Sequence, residues 1–594
     1  SDDVIGNLEL GYKPVAGLNI VYRLSSTISN AVAKSTQGAY TYSAYAKSSG
    51  KSIASTGDLV GAVGDASSFS SRINSELFAT YTKKVKDISL QALIGTSYRE
   101  NYSKALSISS SNLGMSVFNI LVRKGEPSVS ESNSTSKLNR YFGRLTANYK
   151  GWANAEVTGS YDIDSRLGYF YNFNMKNISF FYPGANVSLV LSDAIPALKN
   201  NKTLSFLKVS AAVSKTGNVN LGPYSLENTY SLASGFPFGT LQGFTSDNTL
   251  RLSEYKPEFV NNKEVGLEAA FNKNKINVGV SAYTQDNTNQ LITVAYSAAT
   301  GFPSALLNAA EFTNKGLEFD LKLTPIVKIN KVNIDLKLNY SYQTNEVKKL
   351  VDGVDELGIG NGNFIIKGQS AYMFKLTDYL KDAQGRVIVD KATGYPSLDP
   401  VVKMFGTTLP KHLFGATLSV NWKQFSFNAV VDYRGGNQVY SGLGPDMDFS
   451  GISIRSAQNN RQPFIFPNSS YDDGTGKYVA NTSVYTQNGG YGFWSQSMNT
   501  SVNSNYLADG SFWKLREVSL SYTIPNSVFN KFTRNAIKGA TFTLTGRNLL
   551  MFLPKTNEWT DPEFSNTTGN AQGVNTRDNT PPTRIFGANL TLNF

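Results

Sequence analysis

The sequence predicts an all-β chain: a transmembrane antiparallel β-barrel with long loops on one side and short turns on the other. Three observations carry this expectation. Stretches of about ten residues alternate strictly between apolar and polar or small residues, which is the signature of a strand with two different faces. These stretches run nine to fourteen residues, longer than the usual five or six of a soluble sandwich and long enough for a tilted strand to cross a bilayer. Connections alternate between short and long, as in barrels whose turns lie on the periplasmic side and whose loops lie outside.

The alternation is clearest in "KINVGVSAYT" (Ile276, Val278, Val280 and Ala282 on one face), "GLEFDLKLT" (Leu317, Phe319, Leu321, Leu323) and "VNIDLKLNYSY" (Val332, Ile334, Leu336, Leu338, Tyr340). "LFGATLSVNW" and "FSFNAVVDY" repeat it, as does the closing "TRIFGANLTLNF", where Phe586, Ala588, Leu590, Leu592 and Phe594 share a face. Charges on the opposite face, among them Glu318, Asp320 and Lys337, read as groups facing a water-filled or plugged lumen. Aromatics near strand ends, such as Tyr12, Tyr149, Tyr283, Trp422 and Tyr433, match interfacial girdles. In order, the strands are expected near 4–12, 17–28, 71–82, 87–99, 138–150, 153–164, 176–192, 204–214, 263–272, 275–286, 311–325, 331–344, 412–422, 424–436, 510–524, 538–550 and 583–594. Short turns are expected at "KPVAG", "TKKVKD", "KGW", "NKNK", "PIVKINK" and "KQ", and long loops near 29–70, 215–262, 345–411, 437–509 and 554–582.

Composition removes many alternatives. The chain has 594 residues, no cysteine and a single histidine, His412. Disulfides, thiolate metal sites, a cysteine nucleophile and a histidine-based metal cluster or triad are therefore excluded, and no enzyme, cofactor or metal site is expected. The net charge of +12 comes from scattered lysines and arginines, read as solvated turns and not as a nucleic-acid surface. No stretch has the ~20 consecutive apolar residues of a membrane helix.

Several stretches resemble the SusC/RagA-like TonB-dependent outer-membrane transporters: "KPEFVNNKEVGLEAAFNKNKINVGVSAYTQDNTNQLI", "NAAEFTNKGLEFDL", "KDAQGRVIVDKATGYPSLDP", "NYLADGSFWKLREVSLSYTIP" and "TGRNLLMFLPKTNEWTDPEF", with "LSFLKVSAAVSKTGN" and the opening "VIGNLELGYKPVAGLNIVYRL". The resemblance spans essentially the whole chain in the expected order. It implies a barrel of about 22 strands, a plug in its lumen, a TonB-contacting segment ahead of the plug and a SusD-like surface lipoprotein as a lid. It further implies import of oligosaccharides or oligopeptides with TonB-derived energy. Seventeen or so expected strands, with no plug or TonB box, make residues 1–594 the C-terminal part of such a barrel, the plug and first strands lying outside this chain. A passive porin and a surface adhesin are the alternative readings.

Candidate substrate or partner contacts are the loop aromatics Tyr491, Phe493 and Trp494 of "YGFWSQS" and Phe236 and Phe238 of "GFPFGT"; packing within the loops would account for them equally well. Leu590, Leu592 and Phe594 resemble the C-terminal signal read by barrel-assembly machinery. "DPEF" (561–564), "DAQG" (382–385) and "DDGTGK" (472–477) read as turns and loop structure, and His412 as an interfacial polar residue.

Overall fold

The computed structural model describes the chain apart from residues 49–57, 116, 169–173, 200, 234–235, 237, 253, 296–297, 531–535, 560, 566–568, 570–571, 577–579 and 581. It divides into two compact units, one of Ser1–Val187, Val213–Phe259 and Ala298–Leu307, the other of Ser188–Ala212, Val260–Ser297 and Asn308–Phe594.

In the first unit, β1 (Asp2–Tyr12), β2 (Leu18–Gln37), β3 (Ala62–Val85), β4 (Ile88–Ser110), β5 (Ser128–Tyr149) and β6 (Ala153–Asp164) form an antiparallel meander, each strand paired with the next. β7 (Ser179–Val190), β8 (Leu204–Asn218) and β9 (Glu258–Phe271) each have residues in both units, and β10 (Ile276–Ala295) belongs to the second. In the second unit, β11 (Ser304–Ile329, from residue 308 on) pairs with β12 (Val332–Leu350). The ladder continues through β13 (His412–Trp422), β14 (Phe425–Gly435), β15 (Phe512–Ile524), β16 (Gly539–Phe552) and β17 (Ile585–Asn593), again neighbour to neighbour. Among the described residues, seventeen strands thus reach nine residues or more. No helix of the described residues is long and apolar enough to cross a membrane, which says nothing about strands.

Register turns the alternation into two chemically distinct faces. Leu145 pairs with Val157 and Tyr141 with Tyr161, and with Leu77 and Ile94 all are exposed apolar side chains. On the opposite face Arg23 pairs with Glu76, Ser97 with Arg140, and Arg140 with Asp162. A sheet that offers large apolar side chains on its open face suits hydrocarbon and not water. β17 follows the same rule: Phe542 lies opposite Leu590 and Ala540 opposite Leu592, while Thr541 and Thr543 face Thr591 and Asn589.

The short turns are tight because the chain reverses through left-handed residues. Lys86, Lys150, Asn272, Lys273, Asn274, Asn330 and Lys423 have φ between +50° and +63°, a region that asparagine enters more readily than most residues. All six expected short turns lie at these reversals or at the one between β1 and β2. The long-loop expectations need correction. Residues 29–37 and 62–70 belong to a ladder that continues to Gln37↔Ala62. β4, β5 and β12 likewise run well past the expected ends, to Ser110, from Ser128 and to Leu350. These extensions are rich in Ser, Asn and Lys on both faces, so hydropathy does not alternate there although the backbone ladder persists. Part of the 29–70 loop, residues 49–57, lies outside the described residues.

Candidate functional site

In the first unit, the polar face bounds an open cavity of 680 Å³, lined by Arg23, Glu76, Arg99, Arg140 and Arg144 among others. Its side chains hold one another. Arg140 grips Asp162 with two bonds of 2.7 Å and donates to the Tyr182 hydroxyl at 2.9 Å. Arg23 donates to Glu9 at 2.7 Å and lies over the Phe78 ring. The result is a hydrated, basic wall with few free ends.

In the second unit, the corresponding feature is an ion network fed by a loop. Alternation along β15 places Phe512 and Lys514 on one face and Trp513 and Leu515 on the other. A β-bulge between Leu515 and Glu517 leaves Arg516 as the extra residue of its strand. Opposite them on β14 stand Arg434, paired with Phe512, and Asp432, paired with Lys514. The loop of residues 561–564 inserts two carboxylates between these cations. Lys514 Nζ meets Asp561 and Glu563 at 2.6 Å each. Arg516 binds Asp432 through two bonds of 2.7 Å and Glu563 through bonds of 2.5 and 2.6 Å. Arg434 adds an ion pair to Glu563 at 3.2 Å. Asp561 also caps its own turn, accepting from the Glu563 backbone N–H at 2.9 Å. The Lys514 side chain is only 5% exposed, so here the charges act in a medium of low effective dielectric. Burial pushes the Glu563 carboxyl up, but hydrogen bonds and charge from Arg516 and Lys514 outweigh it and hold the group at about 2. "DPEF" is loop structure, as expected, but its carboxylates are also anchors, which sequence reasoning missed.

Above this network the long loops build a core of their own. Phe493 and Trp494 are 2% and 6% exposed. Phe493 packs edge-on against Phe464 at 5.3 Å and Trp494 at 5.2 Å. The Trp494 indole N–H donates to the Gly489 carbonyl at 3.1 Å. Gly489 is required there, because a Cβ would lie 1.8 Å from the Gln462 carbonyl oxygen. Buried Asp448 accepts from Ser453, Asn499 and Tyr506 at 2.5, 3.2 and 3.0 Å. Of the five loop aromatics singled out in the sequence, these two are therefore interior. Tyr491, Phe236 and Phe238 are open at 71%, 43% and 75%, and Tyr491 faces Phe449 at 6.3 Å. The first three belong to the second unit and Phe236 and Phe238 to the first.

The remaining motifs resolve simply. Asp472 accepts from the N–H groups of Gly474 and Gly476, and Asp382 from those of Gln384 and Arg386, so both motifs are turn tips. His412 shares a 2.8 Å hydrogen bond with the Tyr340 hydroxyl. Among the described residues no group of three or more metal-ligating side chains occurs. Leu590 and Phe594 are exposed at 58% and 75%, with Leu592 at 39%.

No family model matches the sequence. Among curated proteins, a TonB-dependent receptor of Formosa agariphila is 27% identical over 487 residues, 76% of this chain and 46% of that protein. The TonB-dependent receptor SusC of Bacteroides thetaiotaomicron is 24% identical over 359 residues, 55% of this chain and 33% of that protein. The chain spans about half the length, or less, of the curated relatives it matches. Among solved structures, the RagAB peptide transporter superposes with a TM-score of 0.78 at 19% identity, covering 99% of this chain and 61% of the other. That likeness fixes the fold as the β-barrel of outer-membrane transporters, and the relatives are receptors and transporters, not enzymes.

Proposed function

We propose, from the premise that this chain is a relative of the SusC/RagA-like TonB-dependent outer-membrane transporters, that it forms the C-terminal barrel part of an importer. The importer would draw oligosaccharides or oligopeptides across the outer membrane with TonB-derived energy and a SusD-like lipoprotein lid. The observation that carries this reading is the near-complete match of a two-faced barrel chain to one transporter fold, with 99% of its residues covered. The exposed rings of Tyr491, Phe236 and Phe238 are the proposed loop contacts for substrate or lid. Leu590, Leu592 and Phe594 are the proposed assembly signal.

Purification of the complete native complex, together with uptake assays in cells with and without TonB, tests the reading. A co-purifying surface lipoprotein and uptake that stops without TonB are expected. A lone, open, ion-conducting barrel whose uptake ignores TonB would replace this reading with a passive porin. Binding to surfaces without any uptake would replace it with an adhesin.

A further inference from the structure

Two arginines stand apart from the others on the polar wall of the first unit. Arg23, Arg140 and Arg144 each have a carboxylate within ion-pair distance, on Glu9, Asp162 and Glu156. Arg72 and Arg99 have none among the described residues. Each instead gives its Nε–H to an asparagine, Asn101 at 2.9 Å and Asn74 at 3.0 Å. Register makes the arrangement reciprocal. Arg72 pairs with Asn101 and Asn74 with Arg99, so the two arginines are diagonal neighbours on one face of β3 and β4, roughly 7–8 Å apart along the backbone. Among the described residues opposite or diagonal to either arginine on β2 to β5, the one carboxylate is Glu76, and it lies 3.6 Å from Arg23. An aspartate at position 74 or 101 could accept the same bond and would cancel the charge. Asparagine orients the guanidinium and leaves its charge in place.

The open ends of both side chains face free space. Arg99 lines the 680 Å³ cavity of this wall, and Arg72 lines a second one of 540 Å³ together with Thr27, Ser29, Ser70, Ser103 and Ser136. Two like charges at this spacing repel each other. A ligand that relieves them must bring negative charge and several acceptor oxygens. The paired N–H groups of a guanidinium match two oxygens of a carboxylate, sulfate or phosphate, and the surrounding hydroxyls can donate to the remaining ones. An uncharged sugar or amide would leave the two charges uncancelled. We propose that Arg72 and Arg99, held by Asn101 and Asn74, form an oxyanion site on the barrel wall. It takes the carboxylate, sulfate or phosphate group of a solute that enters the barrel. This inference goes beyond the importer reading and does not rest on it, since a passive barrel could hold the same site.

The test is calorimetric titration of the complete purified transporter with pyrophosphate, sulfate and glutarate, at physiological ionic strength, where the Debye length is about 8 Å. Saturable binding is expected, tightest for pyrophosphate, whose two groups reach both guanidiniums, and weaker at high salt. The tighter of sulfate and glutarate identifies the group the site prefers. Arg72→Gln and Arg99→Gln are each expected to weaken pyrophosphate roughly tenfold or more. The sharper variant keeps both arginines: Asn74→Asp combined with Asn101→Asp is expected to weaken it at least as much, without lowering the unfolding temperature. Lys104→Gln makes the same change of charge on the opposite face of β4, and is expected to alter affinity by less than about twofold. Absence of saturable binding, unchanged affinity in the double asparagine variant, or an equal loss in Lys104→Gln would each overturn the proposal. If TonB-dependent uptake persists while the titration fails, only the oxyanion site falls and the importer reading stands.

Discussion

The two units use the same ion-pair chemistry in opposite settings. On the wall of the first unit, Arg23 and Glu9 meet at 2.7 Å with side chains 50% and 59% exposed. In the second, Lys514 meets Asp561 at 2.6 Å with side chains 5% and 10% exposed. The distances match and the solvent does not. Exposed pairs gain little because water already solvates both partners and salt screens them. A buried pair is different: removing one partner strands the other in a medium that cannot solvate it. The Arg23–Glu9 pair therefore tolerates change, whereas the loop anchor does not; on the same wall the Arg140–Asp162 pair, whose carboxylate is buried, behaves like the anchor.

The largest effect should follow from breaking the anchor. Lys514→Ala should lower stability by about 3–5 kcal/mol and expose the loop around Asp561 to protease, measured by thermal unfolding and limited digestion. A loss as small as that of an exposed pair would erase the contrast. Next, Phe493→Ala should cost roughly 3–4 kcal/mol through the cavity it leaves. Tyr491→Ala, two residues away and open, should stay within about 0.5 kcal/mol; equal losses would mean the loop core is not packed in solution. A smaller effect concerns pH. Glu563 sits at about 2, below its unfolded value of 4.5, so its contribution is full above that unfolded value and fades as pH falls toward the folded one. Discounted for partial exposure, this is ~1–2 kcal/mol. It should appear as a drop in unfolding temperature below pH 4.5 that Glu563→Gln flattens; an unchanged acid limb in that variant would place the titration elsewhere. The smallest effect is Arg23→Ala, a drop in unfolding temperature smaller than any of those above and weaker still at high salt. A salt-independent loss would show that the wall is less hydrated than its exposure indicates.

What was legible in the sequence tracks which physics wrote it. The strands His412–Trp422 and Phe425–Gly435 fall within about a residue of the expected spans, because lipid on one face and water on the other forces strict alternation. The same signal is silent in Asn30–Gln37 and Ala62–Phe69, which pair through the backbone with Lys34 reaching Asp65 at 3.1 Å. Phe493 and Tyr491 look alike in sequence and differ only through a loop fold that the neighbouring residues do not encode locally. The ion network joins Lys514 to Asp561 across 47 residues. Its one local hint was the pair of cations in "FWKLRE", two residues apart on a strand.

The neighbour-to-neighbour pairing of the long strands also fixes an order of assembly. Each strand from β1 to β6 finds its partner in the adjacent stretch of chain, so the wall can grow one hairpin at a time at little cost in loop closure. The loop core cannot. Asn363 donates to the Gln572 carbonyl across 209 residues, a contact that exists only after both segments have been delivered by finished strands. The anchoring loop around Asp561 is accordingly a late arrival, and a stalled assembly intermediate should carry a complete ladder beneath an unformed cap.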